Sequence, residues 1–156
     1  MKLYSTKKIS PDVDLKEAVL KGLPADNGLY MPYEIKPLPT EFWDNLHSYT
    51  FTEMAFHISK HLIGDAVPEE SLKKIIQDAY NFDAPLIDVG DYSILELFDG
   101  PTLAFKDFGA RFLSGLLGYF ARLKNKKITI LVATSGDTGS AVANAFLNVE
   151  GTRVIV

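Results

Sequence analysis

Apolar positions fall into two regimes along the chain. Up to about residue 90 they form short clusters broken by glycine and proline, the pattern of short helices joined by turns. Asp14 is placed to cap a turn or two of helix through Leu20, ended by Gly22-Leu23-Pro24. Ala25 to Pro39 carries Asp26-Asn27-Gly28 and three prolines, which predicts a turn followed by extended chain. Thr40 is a candidate cap for a helix over Glu41 to His47. Thr50 and Glu53 have capping-box spacing and predict a helix to about His61, stopped by Gly64. Pro68, at a first-turn position, opens another helix with Leu72, Ile75, Ile76 and Ala79 on one stripe.

The pattern changes after Pro85. Ser93 to Phe98 is short, apolar and bounded by Gly90 and Gly100, as a strand would be. A long helix follows from about Asp107 to Leu123, with Phe108, Phe112, Leu116 and Phe120 four apart. Lys127 to Ala133 alternates too little for a half-exposed strand and suits a buried parallel one. A glycine-rich turn, a helix from about Thr138 to Leu147 and the apolar run Val154-Ile155-Val156 complete the order. Strand, helix, strand, helix, strand is the grammar of an α/β domain. The expected division is a mainly helical region over 1–90 and the first part of an α/β domain over 91–156. The chain ends inside an expected strand, so it reads as the N-terminal part of a longer protein. Such a piece is expected to expose apolar strand surface, and so to aggregate, to pair with itself or to be ordered only in part.

Composition narrows the class. Apolar residues make up 47% and charged residues 23% of 156, the balance of a folded globular chain. Sixteen basic and 20 acidic side chains give a formal charge of −4 with no cationic block, which leaves no electrostatic footprint for nucleic acid or an anionic membrane. There is no cysteine, so disulfides and thiolate metal sites are excluded. The longest uncharged run, Thr138 to Val149, is well short of a membrane span, as is the apolar run Phe112 to Ala121, and MKLYSTKKIS lacks a secretory apolar stretch. A soluble cytoplasmic protein is expected.

Two segments carry candidate chemistry. In LELFDGPTLAFKDFGARF, residues 95–112, Lys106 stands at a helix start among Leu103, Phe105 and Phe108. Apolar surroundings disfavour the charged amine, which is what an aldehyde-trapping lysine needs. An ordinary surface lysine, or one paired with Asp107, fits the same residues. In LVATSGDTGSAVANAF, residues 131–146, a strand runs through Thr134-Ser135-Gly136-Asp137-Thr138-Gly139 into a helix. Backbone N–H groups of such a turn, the helix dipole and the Ser135 and Thr138 hydroxyls can hold a carboxylate or phosphate. The segment lacks P-loop and GxGxxG spacing. It equally fits a tight turn in which Asp137 caps the helix. Thr102 and Arg111 are further candidates to meet a phosphate, and Arg111 equally fits a solvated helix residue. His57 and His61 lie one helical turn apart, but the HExxH glutamate and a third ligand are missing, so no metal site is expected.

Together these segments resemble the N-terminal part of the threonine synthase family, pyridoxal-phosphate enzymes of the tryptophan-synthase-β type. The resemblance spans nearly the whole chain. Tyr4-Ser5-Thr6 and Gly22-Leu23-Pro24-Ala25-Asp26-Asn27-Gly28-Leu29-Tyr30-Met31-Pro32 match its opening pattern. Gly100 to Gly109 matches its cofactor-lysine segment, and Ala133 to Gly139 its substrate loop. Lys7-Lys8 stands where Arg-Gly is commoner, and Asn27 where Gly often sits. The resemblance implies a helical N-terminal region followed by the start of a three-layer parallel-sheet domain, incomplete in this chain. It implies that Lys106 forms a Schiff base with pyridoxal 5'-phosphate and then moves protons on O-phosphohomoserine, giving threonine and phosphate. Ser135, Gly136, Asp137 and Thr138 would hold the substrate carboxylate, with Asp137 also approaching the cofactor's phenolic oxygen. The cofactor-phosphate loop of the family comes later in sequence, so residues 1–156 alone are expected to be inactive. Lys106 and the loop would equally serve a related phospho-lyase that releases 2-oxobutyrate. The helical N-terminal region could also belong to a non-enzymatic interaction module.

Overall fold

Four residues of alternating burial begin the chain. The computed structural model describes all residues except Lys126 and Ser135, and it resolves into two compact units, Met1–Lys74 and Ile75–Val156. In the first unit, β1 (Lys2–Ser5) lies between β2 (Val13–Asp14) and β3 (Tyr30–Pro32), antiparallel to both. Leu3 faces Val13 on one side and Pro32 on the other, and Leu3, Val13 and Ser5 are buried. The first ninety residues are therefore not only helices. So short a strand shows no period of its own; its partners, ten and more positions away in sequence, define it.

Asp14 caps α1 (Leu15–Lys21) by accepting the Glu17 N–H at 2.7 Å, and Gly22 ends the helix at φ +74°. The helix expected over Glu41–His47 is shorter. It consists of α2 (Thr40–Asp44) and a separate 3₁₀ turn at Leu46–Ser48, and Thr40 is its first residue rather than its cap. Pro39 occupies the cap position with no side-chain bond. The Thr50–Glu53 box forms as expected: the Thr50 N–H donates to Glu53 Oε2 at 2.7 Å, and the Glu53 N–H donates to Thr50 Oγ1 at 3.3 Å. It opens α3 (Phe51–Ile63), which Gly64 closes. Pro68 precedes α4 (Glu69–Ala79), whose expected stripe of Leu72, Ile75, Ile76 and Ala79 is buried.

The second unit contains a hairpin of β4 (Leu86–Val89) and β5 (Tyr92–Leu95) and a long helix α5 (Lys106–Leu123). Parallel strands β6 (Ile128–Leu131) and β7 (Thr152–Ile155) flank α6 (Asp137–Ala145) in the sequence. The apolar run expected as the first strand of the parallel sheet is β5, and it pairs antiparallel with β4 in a two-stranded sheet of its own. The expected parallel pair is present, with Ile128 opposite Thr152 and Leu131 opposite Ile155. Its residues are not uniformly buried: Leu131 is 75% exposed, and alternate positions of both strands face out. α5 packs against α6, and Leu116, Leu117 and Phe120 of the one and Ala141 and Ala145 of the other are buried. Each large apolar side chain so buried contributes roughly 1.5–3 kcal/mol relative to its exposed state.

One carboxylate ties the first unit's opening segment together. Asp26 accepts the Ser5 hydroxyl at 2.7 Å and the Ser10, Gly28 and Ile9 N–H groups at 2.8, 2.9 and 3.2 Å. Desolvation pushes its carboxyl up, but these four donors outweigh that and hold it well below the usual carboxylate range. A folded-state pKa below the unfolded value, about 3.9, contributes stability that is present at neutral pH and lost as pH falls through that value toward the folded one. Asp26→Asn is expected to lower the thermal midpoint at neutral pH and to weaken the acid-side decline below about pH 4. Melts of both proteins across the acidic range check this.

Candidate functional site

Lys106 is the first residue of α5, and the turn that delivers it is unusual. The Leu103 N–H donates to the Gly100 carbonyl at 3.0 Å, and Leu103 itself adopts φ +59°, a left-handed conformation that leucine rarely takes. The Asp107 and Phe108 N–H groups then donate to Ala104 and Phe105, and Phe105 stands at the helix cap with no side-chain bond. The Lys106 amine lies 4.5 Å from the centre of the Phe105 ring. Among the described residues no carboxylate forms an ion pair with it; Asp107, the expected alternative partner, turns inward to Thr102. The apolar enclosure expected from the sequence is a single ring contact, since Leu103 is 75% and Phe105 61% exposed. Both lie on the turn and point out from it.

The second segment follows β6. Gly136 has φ +154° and ψ −82°, and its N–H donates to Thr134 Oγ1 at 3.3 Å. Asp137 is not the cap. It is the first helical residue of α6, and Gly136 at the cap position offers no side chain. Among the described residues the early N–H groups of this helix thus meet no capping side chain. Asp137 is exposed, Thr138 half-buried, and Gly139 buried with no room for a side chain. A Cβ there would lie 2.6 Å from Thr134 Cγ2 and 2.8 Å from Val156 Cγ1. Ser135, the remaining sequence candidate of this loop, lies outside the described residues. Lys106 and the 136–138 turn both stand at the starts of helices that pack on one another, and among the described residues no hydrogen bond or ion pair joins them directly.

Other candidates are committed elsewhere. The Thr102 N–H and hydroxyl both go to Asp107. Arg111, expected either at a phosphate or in solvent, closes the C-terminal end of α4. Its Nε donates to the Ala79 carbonyl at 2.8 Å, and Nη2 donates to the Asp78 carbonyl and to Asn81 Oδ1. A cation there answers the helix's free carbonyls and its dipole. His61 Nε2 meets the Lys36 carbonyl at 2.8 Å, and the His57 ring rests 4.8 Å from that of Tyr49. Among the described residues no group of three potential metal ligands converges.

A profile of the family described as threonine synthase N terminus matches residues 2–80. The chain belongs to this family. Similarity to named members extends beyond that match to the whole chain. It is 43% identical to the threonine synthase of Serratia marcescens and 40% identical to that of Escherichia coli K12, in each case over the entire chain and 36% of the relative. The crystal structure of the E. coli enzyme superposes on 99% of this chain with a TM-score of 0.90, covering 36% of that protein. A threonine synthase from Brucella melitensis, solved with pyridoxal phosphate bound, superposes with a TM-score of 0.93 at 33% identity, over 99% of this chain and 34% of that one. The chain therefore spans about 36% of the length of the curated relatives it matches. No described helix is long and apolar enough to cross a membrane.

Arg111→Ala is expected to cost about 1.5–3 kcal/mol of stability, the range for hydrogen bonds to a charged group, by freeing the α4 carbonyls. Denaturant midpoints read the loss, and labelling of Lys106 by an amine reagent should be unchanged.

Proposed function

We propose that this chain supplies the covalent anchor and the substrate-carboxylate grip of a threonine synthase. That enzyme is a pyridoxal-phosphate-dependent carbon–oxygen lyase, converting O-phospho-L-homoserine and water into L-threonine and phosphate. The observation that carries the reading is the Lys106 amine, free of any described ion pair at the start of α5, in a chain that superposes almost entirely on a threonine synthase holding that cofactor. The donor set fits the group. A primary amine stands ready for an aldehyde, and the uncapped start of α6 offers N–H groups and the Thr138 hydroxyl to an anion. Gly139, where a Cβ would clash, keeps the loop pressed against Thr134.

Pyridoxal phosphate, when bound, supplies the electron sink for the substrate's carbon framework. The protein's part is binding, orientation and proton movement. With the cofactor bound, the Lys106 amine would hold it and, once freed by the substrate amine, would move protons at the substrate's Cα and Cβ. Over the whole reaction phosphate leaves from Cγ and the elements of water arrive at Cβ. Gly136, Asp137 and Thr138, with Ser135 assigned from sequence alone, hold the substrate carboxylate. Asp137 is also assigned to the cofactor's phenolic oxygen. We place the reaction in the cytoplasm, in threonine formation from an aspartate-derived substrate.

Pyridoxal phosphate followed by borohydride should leave a pyridoxyl label on Lys106 in the peptide map. A label on Lys124, Lys126 or Lys127 in its place contradicts the assignment. In the holoenzyme, Thr138→Val is expected to weaken substrate binding by about 1.5–3 kcal/mol, one hydrogen bond to a charged group. Cofactor attachment should persist. Unchanged kinetics would make the loop a plain turn.

A further inference from the structure

The residue after Lys106 has no part in this chemistry, yet it is one of the most deeply buried polar groups of the second unit. Asp107 is fully buried. Taking a carboxyl group out of water is costly unless its oxygens are answered. Here both are answered by one residue: the Thr102 N–H donates to Oδ2 and the Thr102 hydroxyl to Oδ1, each at 2.8 Å. Gly100 closes over the contact, since a Cβ on it would lie 2.5 Å from Oδ2 and 2.7 Å from the Asp107 Cβ. The side chain thus reaches back from the first turn of α5 and binds the turn that precedes it.

The turn's other described bonds are short-range backbone ones, from Leu103 to Gly100 and from Asp107 and Phe108 to Ala104 and Phe105. Leu103 sits in a left-handed conformation with its side chain in solvent, and Phe105 gives the helix no side-chain cap. A strained turn persists only where surrounding contacts over-determine it. The direction in which the Lys106 side chain leaves the backbone is set where this turn enters the helix.

We propose that Asp107 is a positioning residue for Lys106. Its paired bonds to Thr102 hold the Gly100–Phe105 turn on the helix start, so that the amine is presented in one direction. The proposal rests on the reading of Lys106 as the cofactor-attaching amine. The role belongs to the paired hydrogen bonds and not to the negative charge. An asparagine at this position can keep both bonds, because its carbonyl accepts the Thr102 N–H and its NH2 donates to the hydroxyl oxygen, which serves equally as acceptor. An alanine keeps neither and leaves a buried N–H unpartnered.

The test compares the unaltered holoprotein with Asp107→Asn, Asp107→Ala, Thr102→Ser and Thr102→Val. Each is treated with pyridoxal phosphate and borohydride, and the Lys106 label is measured against that on Lys16 in the same peptide map. Circular dichroism and the thermal midpoint report the fold separately. Asp107→Asn and Thr102→Ser should label Lys106 within about twofold of the unaltered protein, and Asp107→Ala should lose about tenfold or more, the scale of a misplaced reactive group. A folded Asp107→Ala protein with full label on Lys106 overturns the proposal. So does an Asp107→Asn protein that folds but loses the label as thoroughly as alanine, since charge would then be the agent. If Asp107→Ala does not fold, the threonine pair decides: a several-fold lower label in Thr102→Val than in Thr102→Ser supports the clamp, and equal labels overturn it. A label absent from Lys106 in the unaltered protein overturns the underlying reading of the lysine, a result distinct from failure of the clamp alone.

Discussion

A carboxyl group with no solvent contact must find donors nearby, and the second unit is arranged so that Asp107 finds both of its donors on Thr102. That requirement brings Gly100 within reach of the Asp107 side chain, where any larger residue would collide. It draws the chain through a left-handed Leu103 and starts α5 at Lys106 with no side-chain cap of its own. The amine is then presented next to the Phe105 ring, while the neighbouring carboxylate that could have neutralised it faces the interior. Neighbouring positions on a helix do not face each other, so Asp107 can turn inward while the Lys106 amine does not follow it.

The other half of the site depends on what is missing from a helix end. α6 begins after Gly136, where no described side chain satisfies its first N–H groups, and Asp137, the residue best suited to cap, is displaced one position into the helix. An uncapped helix start leaves its donors to water or to a ligand. Close contact between Gly139 and Thr134 keeps β6's exit and the helix start together, so the donors remain grouped. The mutual packing of α5 and α6 links the two helix starts within one unit.

Legibility in the sequence followed the range of the forces involved. Local signals were readable: the Asp14 cap, the Thr50–Glu53 box, the apolar stripe of α4 and the four-residue spacing along α5 all operate within a few positions. Strand β1 was not, because its identity depends on pairing with residues distant in sequence. Thr40 and Asp137 have good capping chemistry, yet the chain enters both helices one residue earlier than that chemistry suggests. Nor could composition tell that Asp107 faces inward or that Arg111 closes α4; both depend on which way a helix face is turned. Lys8 and Asn27, two places where the family more often has glycine, have φ of +57° and +58°. The backbone there keeps a glycine-like conformation with a side chain added, asparagine at lower cost than lysine.

Amide hydrogen exchange at Thr102 tests the arrangement most directly, because among the described residues that N–H is the one backbone donor to the buried carboxyl group. Thr102 lies in a turn, where an amide facing water exchanges at close to the unprotected rate. Held by Asp107, it should instead exchange as slowly as interior amides of α5 such as Phe120. Exchange of Thr102 at the rate of a solvent-exposed amide, in a protein whose α5 is protected, would contradict the buried contact on which the presentation of Lys106 depends.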